Sequence, residues 1–131
     1  MSLQNTSLGL LILRISLGLM MLLHGIAKIT HGIEGIKGMF GGASFIAYGV
    51  YVGEVLAPLL LIVGFRTKIA ALLLAITMLV AILMAHAADI FTVGEHGSWG
   101  VELAGLYLFG ALALFFTGGG NYALSTANRW D

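Results

Sequence analysis

The chain alternates long apolar runs with short polar connections, and the runs are continuous rather than alternating residue by residue. Continuous apolar segments of this length predict helices, not the dyad pattern of a membrane barrel. A helix needs about 20 mostly apolar residues to cross a bilayer. Four windows meet that length: 8–29, 44–64, 68–88 and 98–117. The third has no Asp, Glu, Lys or Arg between Lys68 and Asp89. The connections are the Gly-rich "THGIEGIKGMFGGA", the tight turn "FRT" and the polar "DIFTVGEHG", and the tail is "GGGNYALSTANRWD". In the first connection Ile33, Ile36, Met39 and Phe40 recur at helical spacing. That segment is either a short interfacial helix or an irregular loop with apolar anchors.

Composition names the solvent. The 131 residues are 60% hydrophobic and 9% charged, with a mean hydropathy of +1.03. Soluble domains carry about 25% charged residues. The expected fold is therefore an all-α integral membrane protein, one domain built as a four-transmembrane-helix bundle in the lipid bilayer. A formal net charge of zero gives no reason to expect a nucleic-acid partner. The absence of cysteine excludes a disulfide, a thiol nucleophile, a thiolate metal site and an internal dithiol relay. Met1 to Ser7 contains no Lys or Arg and no small-x-small cleavage site follows, so the first run is expected to stay in place as a helix. Arg66, Lys68 and Arg129 flank the spans on one side, whereas the third connection has only Asp89 and Glu95. The positive-inside rule then puts both termini in the cytoplasm.

Polar side chains inside the spans carry the candidate chemistry. A rise of about 1.5 Å per residue puts Arg14 roughly 7 Å to the cytoplasmic side of its span's middle and His24 roughly 8 Å to the outer side. Glu54 falls near mid-bilayer, Glu102 roughly 9 Å outward and His86 roughly 12 Å outward, with Lys28 at the outer boundary. Arg14, His24 and Lys28 share one broad face of the first helix, as do Gly18 and Gly25. Charges facing lipid cost at least a few kcal/mol, so this face is expected to look into the bundle. Arg14 and Glu54 are expected to form a buried ion pair, the alternative being that Arg14 holds a ligand. His24 and Glu102, at one level, could be a proton-transfer pair, two metal ligands or a structural hydrogen bond. Pro58 cannot donate to the carbonyl of Glu54, which leaves that oxygen free and kinks the helix. Gly49, Gly53 and Ala57 offer a close-packing stripe. Tyr107 and Tyr122 are read as interface anchors, and Gly105 and Gly110 leave room for a homodimer seam, with the oligomeric state open. His31, Glu95 and His96 are expected in solvated loops.

The segments "LRISLGLMMLLHGIAKI", "GEVLAPLLLIVGFRTKIAA", "GVELAGLYL" and "TGGGNYALS" occur in that order over nearly the whole chain. Together they resemble the DoxX family of small bacterial membrane proteins. The tail departs from the family pattern at Gly119, Ala123 and Ser125, where Pro, Ser and Asp are usual. The resemblance implies a four-helix protein of the bacterial cytoplasmic membrane, associated with redox physiology. It carries over to Arg14, His24, Gly25, Lys28, Glu54, Arg66 and Glu102. The expected site is a polar pocket formed by Arg14, His24, Lys28, Glu54, His86 and Glu102. Its expected occupant is a quinone or similar small ligand, with a redox partner protein supplying electrons. The alternatives are a metal or solute site built on His24, His86 and Glu102, and a non-catalytic accessory subunit.

Overall fold

A computed structural model of the protein describes residues 3–39 and 44–131. The architecture is all-α: α1 (Leu3–His31), α2 (Ile33–Met39), α3 (Ser44–Tyr51), a π-helical turn (Val52–Leu56), α4 (Ala57–Val63), α5 (Thr67–Ala85) and α6 (Glu102–Thr117). Three helical segments, Asn5–His31, Phe45–Val63 and Thr67–Ala85, are long and apolar enough to cross a membrane. The fourth, α6, is apolar but has 16 residues, about 24 Å of helix against a hydrocarbon core of about 30 Å. It is shorter than the expected 98–117 window because residues 98–101 belong to the preceding loop. There Val93 and Trp99 form an isolated bridge, Gly100 N–H donates to Thr92 O, and the Trp99 indole N–H donates to Ile90 O. The first connection does contain a helix, α2; Phe40 lies outside the described residues.

The bundle closes in a ring: α1 packs on α4 and the π turn, α4 on α5, α5 on α6, and α6 on α1. Apolar side chains such as Ile12, Leu23, Leu83 and Phe109 are exposed on its outside, the arrangement lipid requires. In lipid, close helix packing depends on small residues more than on apolarity, and Gly25 and Gly18 supply them. A Cβ added at Gly25 would fall within the van der Waals radius of the Glu54 carbonyl oxygen. One added at Gly18 would lie 2.8 Å from the Pro58 carbonyl oxygen. The kink expected at Pro58 takes a defined form. Pro58 sits in the first turn of α4, and just before it Ala57 N–H bonds back five residues to Val52 O. That π-type bond widens the helix at Glu54, and the Glu54 carbonyl lies against the backbone of Gly25.

Other small residues act differently from expectation. Gly53 packs on Thr77, but Gly49 has open space beside it. Gly105 lies under the Trp99 ring and Gly110 against Leu17, so both pack within the chain.

The tail, residues 118–131, seals one end of the bundle. Asn121 N–H donates to Ser7 Oγ, Leu124 N–H to Val63 O, Ser125 N–H to Gly64 O, and Gly119 N–H to Asp131 O. Arg66, held in the left-handed region at φ 47°, donates to Ser125 Oγ at 2.8 Å and pairs with Asp131 at 2.9 Å. Enclosure pushes the Asp131 carboxyl up. The Ser125 hydroxyl, the Asn128 N–H and the Arg66 guanidinium outweigh it and hold the group at about 2.

Two outcomes follow. Gly25→Ala is expected to lose about 1–3 kcal/mol in a detergent-denaturation curve through overpacking. Gly9→Ala, which meets nothing within 4 Å, stays within about 1 kcal/mol of wild type. The Asp131 carboxyl sits below its ordinary 3.8, so its contribution is present above that value and lost as pH falls through about 2. Limited proteolysis of the tail should accelerate over that interval, and Asp131→Asn should remove the acid dependence.

Candidate functional site

A cleft of about 130 Å³ opens between α1, the π turn, α5 and α6, away from the sealed end. Met21, Met78, Ala81, Ala85, Leu103 and Ala104 give it apolar walls. His24 and Lys28 enter from α1, Glu54 from the π turn, His86 from the end of α5 and Tyr107 from α6. The fold thus brings together four of the six expected residues.

The pairing differs from the expected one. Glu54 binds Lys28, not Arg14: Nζ lies 2.8 Å from Oε1 and 2.7 Å from Oε2. The Glu54 side chain is 4% exposed and that of Lys28 26%. Close approach at Gly25 brings the α1 backbone to the π turn, and Lys28, three residues further along, spans the remaining gap. One ammonium cannot fill the roughly four lone-pair sites of a carboxylate, so Glu54 keeps acceptor capacity, with Oε2 enclosed and unsatisfied.

Arg14 lies elsewhere, fully buried at the sealed end. Its Nε donates to Gly119 O at 3.2 Å, Nη1 to Leu61 O at 3.0 Å, and Nη2 to Tyr122 O. Backbone carbonyls of α4 and the tail solvate the guanidinium in place of a carboxylate. Arg14 is therefore a structural anchor outside the cleft.

His24 Nδ1 lies 3.1 Å from Met20 O. Donation from Nδ1 to that carbonyl leaves Nε2 as the ring nitrogen available for another partner. The ring meets Tyr107 edge-on, with centroids 5.9 Å apart. His86 stands at the mouth, its Nδ1 3.9 Å from Asp89 Oδ2. Glu102 is exposed at the first turn of α6 and does not line the cleft. Its expected partnership with His24 is not formed: Glu102 is the first residue of the helix and lies off the face that Tyr107, Ala111 and Leu114 bury. Among the described residues no group of three or more His, Asp or Glu is placed to hold a metal ion. The alternative set His24, His86 and Glu102 is thus not assembled. His31, Glu95 and His96 are exposed, as expected.

Tyr107 corrects a second reading. It is 5% exposed and lines the cleft, so it is not an interface anchor. The signal was present: Tyr107, Ala111 and Leu114 recur at i, i+4 and i+7 and form the buried stripe of α6. Glu102 falls off that stripe.

Lys28→Met leaves a buried carboxylate without its cation and is expected to cost about 2–3 kcal/mol. Glu54→Gln should cost less, because the freed ammonium reaches the open cleft. The double variant should recover part of the first loss, as a detergent-denaturation cycle would measure.

The DoxX family model matches residues 9–87. That stretch includes α1 and α5 and four of the five polar cleft residues. A protein of Bacillus subtilis (strain 168), named "Putative oxidoreductase CatD", is 34% identical over 83 residues, which cover 61% of each chain. The aligned stretch therefore spans less than two thirds of that relative. No solved structure matches the chain.

Proposed function

Because the chain belongs to the DoxX family and is a bacterial membrane protein with several apolar membrane-spanning helices, we propose that its cleft binds a quinone-type ligand within a membrane redox system. In this reading all four helical hairpin limbs cross the bilayer. The loop segment before α6 makes up the length that helix lacks. Both termini face the cytoplasm, where Arg66, Lys68 and Arg129 meet the inner leaflet.

The observation that carries the proposal is the convergence of five polar side chains from separate elements on one apolar-walled cleft. Such a site suits a ligand with a polar ring head and an apolar tail. The head would sit against Lys28, Glu54 and Tyr107, and the tail would leave between helices into lipid. Lys28 can donate to a ring oxygen with the ammonium protons that Glu54 does not take. Glu54 and the Nε2 of His24 are bases within the same enclosure, and His86 at the mouth offers a route for protons to the surface. The oxidoreductase name of the Bacillus subtilis relative agrees with this chemistry. No electron carrier is encoded by the side chains, so a partner protein would deliver or remove electrons.

The test is equilibrium binding of a decyl-substituted benzoquinone, in either redox form, to the protein in lipid nanodiscs, with empty nanodiscs as blank. Saturable binding at about one ligand per chain, weakened about tenfold or more by Lys28→Met, is the expected result. Absence of saturable binding in both redox forms overturns the reading.

A further inference from the structure

Two nearly buried polar groups in the cleft retain unused hydrogen-bonding capacity, and they are of opposite kinds. Tyr107 is 5% exposed and touches His24 only ring to ring. Among the described residues no hydrogen bond to its hydroxyl is found, and that oxygen is not one of the fully enclosed, unpartnered atoms. Glu54 is held as a carboxylate by Lys28, and its Oε2, although 2.7 Å from the ammonium, accepts no well-directed hydrogen bond. Both residues line one small cleft, Tyr107 as a donor and Glu54 as an acceptor whose unsatisfied oxygen is enclosed beside Lys28 and is reached by a hydroxyl proton seated against it.

Those two groups treat the two redox forms of a ring head differently. A quinone oxygen carries only lone pairs. It can accept from Tyr107, but beside Glu54 it sets lone pair against carboxylate and leaves that acceptor unsatisfied. A hydroxyl accepts from Tyr107 through oxygen and donates its proton to Glu54, satisfying both. A site built to bond an O–H rejects an analogue that lacks it far more strongly than an apolar pocket rejects a missing methylene. We propose that Glu54, as an acceptor, makes this cleft selective for the reduced, hydroxyl-bearing form of its ring ligand, with Tyr107 donating to the ring oxygen in either form. The inference rests on the quinone-type reading and adds the redox form that is held.

Three probes of matched tail length separate the possibilities: decyl-substituted benzoquinol, the corresponding benzoquinone, and the benzoquinol dimethyl ether. Binding is measured anaerobically in nanodiscs on the wild-type protein, which requires no variant to fold. A hydrogen bond to a charged group corresponds to a preference of about 10- to 100-fold for the quinol over both other probes. Glu54→Gln should abolish most of that preference. Tyr107→Phe should weaken quinol and quinone alike, by about tenfold, and leave the preference between them in place. Equal binding of the three probes, or tighter binding of the quinone, overturns this inference while the quinone-type reading stands. Failure of all three to bind overturns both.

Discussion

A bilayer interior offers no water to a charge or to a backbone group, so each embedded ion of this chain has to be answered from within the chain. Two different answers are found at two ends of one helix. Near its start, Arg14 is surrounded by carbonyls of α4 and the tail. Near its finish, Lys28 meets the carboxylate of Glu54. The second contact exists only because Gly25 lets the two backbones touch and because the π turn widens the facing helix at that level. Helix spacing, cleft shape and the position of every polar side chain in the cleft all depend on those contacts.

The two ends of the bundle consequently have opposite characters. One is sealed by a folded tail in which Arg66, Ser125 and Asp131 interlock. The other is open, with an apolar-walled cleft and ionisable groups at its mouth. The seam between α5 and α6, by contrast, is lined at Leu72, Ala75, Ile76, Leu79, Leu108 and Leu112 by apolar residues alone. Among the described residues the polar cleft lies on the side where α1 and the π turn bring charge.

Much of the fold was legible because long apolar runs and their polar breaks report helices directly. The membership of His24, Lys28, Glu54 and His86 in one cluster was legible too, since depth along a helix follows from residue count. Pairing was not. Counting along straight axes put Arg14 within reach of Glu54, but it could not register a tail that folds back under the bundle. Carbonyl ligands have no side-chain signature, and the tail segment "GGGNYALS" shows nothing in its residue types that marks it as a cation cradle. Glu102 was misplaced for a different reason. The apolar window ran through Trp99 into a loop, so Glu102, counted as lying inside the span, is instead the first residue of the helix. Tyr107 shows the reverse: its periodic stripe outweighed the habit of assigning tyrosines to membrane interfaces.

The carbonyls that enclose Arg14 lie 47, 105 and 108 positions further along the chain. A nascent polypeptide therefore commits its first span to the membrane long before most of that coordination shell has been synthesised. Until then the guanidinium must draw on headgroups or on water carried in with it, so the leading helix starts shallow or tilted. It settles to its final depth only when the last stretch emerges and folds up against it. Burial of Arg14 thus waits on residues more than a hundred positions further along the chain.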